Sequence, residues 1–204
     1  IHNPDYARNP SDRCYYCKIE LLGAMEQLAR RLGVPYVIYG QNADDAGDFR
    51  PGARAARERG VRAPLAEVGM TKAEIRELAR SWDIPVWDRP AAACLSSRFP
   101  YGTPITAEAL ATVDRVERYL RQTCGYQQLR SRHHGEVARI ELLPHDVSAL
   151  LRDASRREAL VAEYGDAGYA QVTVDLRGFR SGSMNEVLVD VEAPSKGESP
   201  SVDT

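Results

Sequence analysis

The residue type with most chemical potential here is cysteine, and the first candidate is Cys94, in Pro90-Ala-Ala-Ala-Cys94-Leu-Ser-Ser-Arg98-Phe-Pro-Tyr-Gly102. A thiol with the ordinary pKa of about 8.5 is mostly protonated at neutral pH. Arg89 and Arg98 flank this one, and nearby cations favour the thiolate by Coulomb attraction. Ala91, Ala92, Ala93, Ser96 and Ser97 are small and leave room for a bulky substrate beside the sulfur. The plainer alternative is a buried structural cysteine, which a polar, Pro-rich segment with two arginines disfavours. A second candidate is Cys14-Tyr-Tyr-Cys17. That spacing serves half of a zinc or iron–sulfur site or a redox pair. It also suits two thiols that merely pack on one helix face. Cys124, His133 and His134 lie too far along the chain to complete a zinc spacing.

Three further stretches are suited to anions or cations. Tyr39-Gly40-Gln41-Asn42-Ala43-Asp44-Asp45 follows an apolar run, and ligands of open α/β sheets bind beyond the carboxyl ends of strands. Gly40 lets backbone approach a ligand, Asn42 can donate and accept, and Asp44 and Asp45 together can hold Mg²⁺ through oxygen or water. An Asx-rich surface turn is the ordinary explanation of the same pattern. Arg130 and Arg132 alternate in a strand-like stretch and so share one face. Two guanidinium forks on one face suit phosphate or carboxylate recognition, and Arg139 and Glu141 alternate likewise nearby. The alternative is a salt-bridged exposed hairpin. Last, Asp175-Leu-Arg-Gly-Phe-Arg180-Ser-Gly-Ser-Met-Asn185-Glu186 offers Gly and Ser backbone groups to an anion.

The elements that must position these residues are legible as patterns. Asp12 or Ser11 can cap a helix reaching Leu32, with Leu21, Met25, Leu28 and Leu32 on one face. Val34 to Tyr39 reads as a buried strand. A short helix over 53–59 is ended by Gly60, and Thr71-Lys-Ala-Glu74 is a capping box opening a helix to Trp82. Alternating strands and helices imply an α/β domain with a parallel sheet. Asp88 to Ile105 has no periodicity and has the character of a functional loop. Thr106 opens a helix with Leu110, Val113, Val116 and Leu120 inward. Gln127 to Arg132 and Val137 to Leu142 are strands around a turn at His134-Gly135. Pro144 to Leu151 and Ser155 to Tyr164 are helical, and Tyr169 to Leu176 is a strand. The expected domains are thus 1–104, α/β, and 105–192, a smaller α+β unit. A disordered tail, rich in Ser, Pro, Gly and acids, is expected over 193–204.

Bulk properties narrow the function classes. The 204 residues carry a formal net charge of −2. Nucleic-acid binders need excess Lys and Arg to displace counterions, so that class is disfavoured. No apolar run approaches the ~20 residues of a membrane span. Four cysteines are too few for a disulfide scaffold at this length, and a reducing cytoplasm is the expected compartment. The chain opens without Met in a loop-like segment, as a piece of a longer protein would.

Taken together, the segments are far more specific. Asn9-Pro-Ser-Asp-Arg-Cys-Tyr-Tyr-Cys-Lys18, Gly40 to Asp45, Arg50-Pro-Gly52, Pro64-Leu65, Thr71 to Arg76, Trp87 to Ala91, Ala93 to Gly102, Arg130 to Glu141 and Gly182 to Asn185 resemble the LarE family, over residues 3 to 186. The resemblance implies a Rossmann-like, adenine nucleotide alpha hydrolase-like parallel sheet of the PP-loop ATP pyrophosphatase superfamily, followed by the α+β domain. It implies an ATP-dependent sulfur transferase that helps make the nickel-pincer nucleotide cofactor of lactate racemase and related enzymes. ATP and Mg²⁺ are the implied cofactors. ATP would adenylate a carboxylate of pyridinium-3,5-biscarboxylic acid mononucleotide, and a cysteine thiolate would displace AMP. Cleavage of the cysteine Cβ–S bond would then leave dehydroalanine and a thiocarboxylate.

By the same resemblance the sacrificial cysteine falls on Cys94. Substrate-binding groups fall on Arg98, Arg130, Arg132, Glu141, Arg180 and Glu117; the nucleotide is expected, from the residues of the loop after the strand, on Gly40, Gln41, Asn42 and Asp45, with Mg²⁺ on Asp44 and Asp45. Some relatives instead hold a [4Fe–4S] cluster through three cysteines. Ala91 to Ala93 supply no extra thiol beside Cys94, which favours the sacrificial route. The implied partners are a nucleotide-like small molecule, further copies of the chain, and nickel-inserting and carboxylating enzymes of one pathway. The competing classes are a tRNA-thiolating or amidating PP-loop enzyme, which a basic surface would favour, and a non-catalytic remnant. The family's Ser-Gly-Gly-x-Asp-Ser pyrophosphate loop is not in these 204 residues. The chain by itself is therefore expected not to cleave ATP to AMP and pyrophosphate, because a phosphate cradle of backbone N–H groups is required. Pyrophosphate release from the purified chain, measured against a form that includes the loop, checks this.

Overall fold

The structure is a computed structural model that describes residues 1–47, 50–90, 92–180 and 183. The chain is mixed α/β and divides into two compact units. One comprises Ile1–Cys94 and Tyr101–Ala107; the other comprises Leu95–Pro100 and the chain from Glu108 onward. The expected tail and the stretch Met184–Glu186 lie outside the described residues.

The first unit is helical. A short helix α1 (Pro4–Ala7) is capped by the Asn3 side chain, whose Oδ1 accepts from Asp5 N at 2.9 Å. Helix α2 (Arg13–Leu32) begins at Asp12 and stops at Gly33, whose left-handed φ of 65° ends helices cheaply. The Asp12 side chain makes no capping bond; it faces Arg54 at 3.5 Å. Helices α3 (Pro51–Glu58) and α4 (Pro64–Glu67) both open on proline, whose missing N–H costs nothing in a first turn. Helix α5 (Lys72–Ser81) carries the capping box: Thr71 Oγ1 accepts Glu74 N, and Glu74 Oε2 accepts Thr71 N at 2.8 Å.

Two expectations fail in this unit. Val34 to Tyr39 is not a buried strand: Val34, Tyr36 and Ile38 are exposed, and a single parallel bridge joins Ile38 to Arg62. A strand needs a neighbour along its whole edge, and among the described residues this segment finds one only at that point. The α2 stripe of Leu21, Leu28 and Leu32 is likewise exposed, while Leu22 is the buried leucine. Helix α2 contacts α3, whose Ala55 and Ala56 are fully buried, and this selects a face adjacent to the one the leucine spacing picks out.

The N-terminal segment is tied to residues 102–105 through Asn9. Asn9 is fully buried at φ 56°, its O accepts from Gly102 N at 2.8 Å, and its Nδ2 donates to Thr103 O at 2.9 Å. Ile105 N donates to Ala7 O at 2.8 Å.

The second unit holds a three-stranded mixed sheet in the order β1-β2-β3. Strands β1 (Leu129–His134) and β2 (Val137–Leu142) are antiparallel around Gly135, and β3 (Gln171–Val174) lies parallel to β2 after helices α7 (Pro144–Arg152) and α8 (Ala154–Asp166). The register pairs Leu129 with Leu142, Ser131 with Ile140 and His133 with Ala138 on one face. That face joins Val116 and Leu120 of helix α6 (Ala107–Gln122), Val147, Leu150, Leu160 and Tyr164 in the core. The other face pairs Arg130 with Glu141 and Arg132 with Arg139, so pleat alternation separates core from charge.

After β3 the chain turns back over β2. Phe179 N donates to Leu142 O at 2.7 Å, and Gly178 sits at φ 71°. A Cβ on Gly178 would lie 2.6 Å from that same oxygen. Gly178→Ala is expected to lower stability by about 3 kcal/mol, through backbone overlap and a disfavoured left-handed conformation. Urea denaturation followed by circular dichroism checks it, with Gly135→Ala, which meets open space, as the milder control.

Candidate functional site

Two groupings emerge, one in each unit. In the first, Cys14 and Cys17 in the opening turns of α2 line one pocket with Cys94. The pocket has a volume of about 200 Å³ and is completed by Tyr6, Arg13, Lys18, Leu21 and Gly52. All three cysteines are exposed. Partial burial of its sulfur pushes the Cys14 thiol above its ordinary pKa, partly offset by the Arg13 charge, and Cys94 and Cys17 push it the same way. Spacing along the chain leaves this approach of Cys14 and Cys17 to Cys94 open without specifying it, because Cys94 is remote from Cys14 in sequence. The i,i+3 spacing at a helix start was the one available signal. Among the described residues, no three His, Cys, Asp or Glu stand close enough to hold a single metal ion.

A larger cavity of about 450 Å³ shares Cys14, Lys18 and Gly52 with the thiol pocket. Gly40, Gln41 and Asp45, three of the expected nucleotide residues, line it with Tyr39, Arg50, Pro51 and Ala53. Asn42 is instead buried and shapes the turn: its Oδ1 accepts from Asp44 N at 3.0 Å, and its own N donates to Asp45 Oδ2 at 3.1 Å. The two aspartates are committed to different groups. Asp44 accepts from Lys72 N at 2.8 Å, at the start of α5, while Asp45 pairs with Arg50 at 2.8 Å. Lys18 Nζ lies 5.2 Å from the Tyr39 ring centroid and supplies a second cation to the cavity wall.

In the second unit, five of the expected residues form a buried ladder of arginines and carboxylates. Arg98, Glu117, Arg130, Arg132 and Glu141 are all buried. Arg98 grips Glu117 with both fork nitrogens, Nε to Oε1 at 2.7 Å and Nη2 to Oε2 at 2.9 Å. Glu117 also accepts from Arg121 Nη2 at 2.7 Å and from Ser131 N at 2.9 Å. Arg132 grips Glu141 in the same way, at 2.8 and 3.0 Å, and reaches Ser97 O and Ser183 Oγ, each at 2.7 Å. Arg98, expected to favour the Cys94 thiolate, is thus engaged by a carboxylate.

Arg130 differs. Among the described residues it has no ion-pair partner: Nη1 donates to Arg180 O at 3.1 Å and the guanidinium stacks 4.7 Å from the Phe179 centroid. Burial lowers its pKa, and the like charges of Arg132 and Arg98 lower it further. Of the three buried arginines of the ladder, Arg98 and Arg132 each grip a carboxylate and Arg130 does not. Arg180 is half-buried and faces Asp175 at 3.9 Å.

These arrangements define a mixed α/β protein with a three-thiol pocket and a buried arginine–carboxylate ladder. It is 49% identical over 186 residues to an uncharacterized protein of Synechocystis, covering 91% of this chain and 69% of that one. It is 35% identical to the pyridinium-3,5-bisthiocarboxylic acid mononucleotide synthase of Lactiplantibacillus plantarum, covering 90% of this chain and 65% of the synthase. An uncharacterized protein of Methanocaldococcus jannaschii is 28% identical, with 85% and 66% covered. No protein-family model matches. The chain belongs to the LarE family. It spans about two thirds of the length of the curated relatives it matches. None of the helices among the described residues is long and apolar enough to cross a membrane.

The Glu117 carboxylate has the clearest pH consequence. Burial alone would raise its pKa, but the Arg98 hydrogen bonds and charge, the Ser131 N–H and Arg121 outweigh this, and the net direction is down. A carboxyl whose folded pKa lies below its unfolded value stabilises the fold above the unfolded pKa. That contribution is lost as pH falls through the depressed value. Glu117→Gln should therefore cost about 3 kcal/mol at pH 7, because it leaves Arg98 buried and uncompensated. The gap between variant and parent should shrink below about pH 4, the ordinary glutamate range. Denaturation curves at pH 3 to 7 check both halves.

Proposed function

We propose that the chain carries the thiol and substrate-binding parts of an ATP-dependent sulfur transferase acting on pyridinium-3,5-biscarboxylic acid mononucleotide. Its product would be the thiocarboxylate precursor of a nickel-pincer cofactor. The observation that carries this reading is the meeting of Cys94 with two further thiols at one pocket, in a chain that aligns over 90% of its length with a synthase of a bisthiocarboxylic acid mononucleotide. Residues 1–104 correspond in this reading to a PP-loop ATP pyrophosphatase-type domain with a Rossmann-like sheet, and 105–192 to the substrate domain.

A carboxylate resists nucleophiles until one oxygen becomes a phosphate leaving group, which is what ATP supplies. The cavity lined by Gly40, Gln41 and Asp45 would receive the nucleotide, with Lys18 and Arg50 as the cations nearest its phosphates. Asp44 and Asp45, engaged separately with Lys72 N and Arg50, do not fit Mg²⁺ as a pair, and no step is assigned to them. Arg130, the uncompensated cation of the ladder, would bind a carboxylate or phosphate of the substrate. Glu117 and Glu141 hold Arg98 and Arg132 in place beside it and would not touch substrate. Cys94 then adds to the activated carbonyl as AMP leaves. Removal of the Cys94 Cα proton expels the thiocarboxylate and leaves dehydroalanine, so that one polypeptide supplies one sulfur.

A second reading is favoured by Cys14 and Cys17. Three thiols around one pocket are a donor set suited to an iron–sulfur cluster with one iron left open, which would supply exchangeable sulfide and spare Cys94. Intact-mass analysis after turnover, in a form of the protein that includes the ATP loop, separates the two. The sacrificial route is expected to give a chain lighter by the elements of hydrogen sulfide, with dehydroalanine at position 94, and Cys94→Ala should activate substrate without forming thiocarboxylate. Repeated turnover with position 94 still cysteine selects the cluster. Thiocarboxylate formation at the parent rate by Cys94→Ala overturns both.

A further inference from the structure

Of the two cations that line the thiol pocket, Lys18 and Arg13, only Arg13 is buried. Arg13 is 4% exposed and lines the pocket with Cys14, Cys17 and Cys94. Its Nη1 donates to Asn9 Oδ1, its guanidinium lies 5.2 Å from the Tyr101 ring centroid, and its buried Nε–H meets no acceptor. Among the described residues no carboxylate pairs with it, whereas the equally buried Arg98 and Arg132 each grip a glutamate. A buried guanidinium without a carboxylate is unfavourable by itself and becomes favourable when an anion arrives. Tyr6, Lys18, Leu21 and Gly52 complete the walls, around a volume of about 200 Å³. That space is apolar and large enough for a flat six-membered ring.

We propose that Arg13 is a substrate-binding residue that holds an aromatic carboxylate in the thiol pocket against Cys94. The inference rests on the sulfur-transfer reading and adds the contact that presents the reacting carboxyl. After activation the same guanidinium donates to the carbonyl oxygen. The Cys94 C–S bond forms, the C–O bond to phosphate breaks, its electron pair leaves with AMP, and the thiol proton passes to water. No oxidant or reductant is consumed. Asn9, locked by Gly102 and Thr103, fixes the guanidinium in place.

The test uses the 204-residue chain without ATP. Iodoacetamide labelling of Cys94, read by peptide mass spectrometry, is followed in the presence of pyridine-3,5-dicarboxylate, its uncharged diamide, or inorganic phosphate. The dicarboxylate is expected to protect Cys94 saturably. Arg13→Gln should weaken that protection about tenfold, as loss of a charge-assisted pair does, and Arg13→Lys should restore part of it. Circular dichroism verifies that the variants are folded. If Arg13→Gln does not fold, the diacid–diamide contrast in the parent chain and the Arg13→Lys arm still decide. Equal protection by the diamide, equal protection by phosphate, or undiminished protection in folded Arg13→Gln overturns the proposal. Because the readout involves neither ATP nor sulfur transfer, its failure leaves the transferase reading standing, and loss of transfer in Cys94→Ala leaves this one standing.

Discussion

Glu117 is the group on which the second unit depends. It has no exposed surface, yet its net pKa is pulled down, so it is held as an anion in the interior. Burying a lone carboxylate is prohibitively unfavourable, and four donors from three different places remove the penalty: two from Arg98, one from Arg121 and one from the Ser131 backbone. Those donors come from the turn after Cys94, from the next turn of α6 and from β1. One carboxylate therefore fixes the position of a loop, a helix and a strand, and the charged face of β1 inherits its geometry. Arg132 and Glu141 repeat the device one step along the sheet.

The consequence for function is a division of labour among like residues. Arg98, Arg130 and Arg132 look equivalent as buried arginines, but two are neutralised and one is not. A site that binds an anion needs at least one cation whose charge is not already cancelled, held by neighbours whose charges are. The same contrast distinguishes Arg13 in the thiol pocket from the salt-bridged arginines on the surface, such as Arg8 and Arg118, whose partners are solvated and contribute little.

What could be read in the sequence follows from the range of each signal. Val113, Val116 and Leu120 are spaced for one helix face and are buried, and the capping box at Thr71 is local to four residues. The alternation of Arg130 and Arg132 placed them on one face of a strand, since pleating admits no other arrangement. Choices made by distant partners were not legible. The buried face of α2 is set by two alanines of α3, so Leu22 and not the leucine stripe turns inward. The i,i+3 cysteines meet Cys94 only through the fold, and Ala91 to Ala93 gave no hint of it. Glu117 was assigned from a resemblance; by type and spacing it reads as a solvated helix charge. Asp44 and Asp45 are adjacent in sequence, yet one serves α5 and the other Arg50.

The uncovered stripe of the first unit has a material consequence. Leu21, Leu28, Leu32, Val34, Tyr36 and Ile38 are all exposed, and the backbone from Val34 to Tyr39 is bridged only at Ile38 and Arg62 among the described residues. Exposed apolar side chains and an open strand edge are two features that make proteins adhere to one another. Exposed apolar side chains beside an open edge of this kind favour association between copies of the chain in concentrated solution. Sulfate or phosphate salts, which strengthen apolar association, should drive it out of solution early, while low temperature and modest urea keep it dispersed.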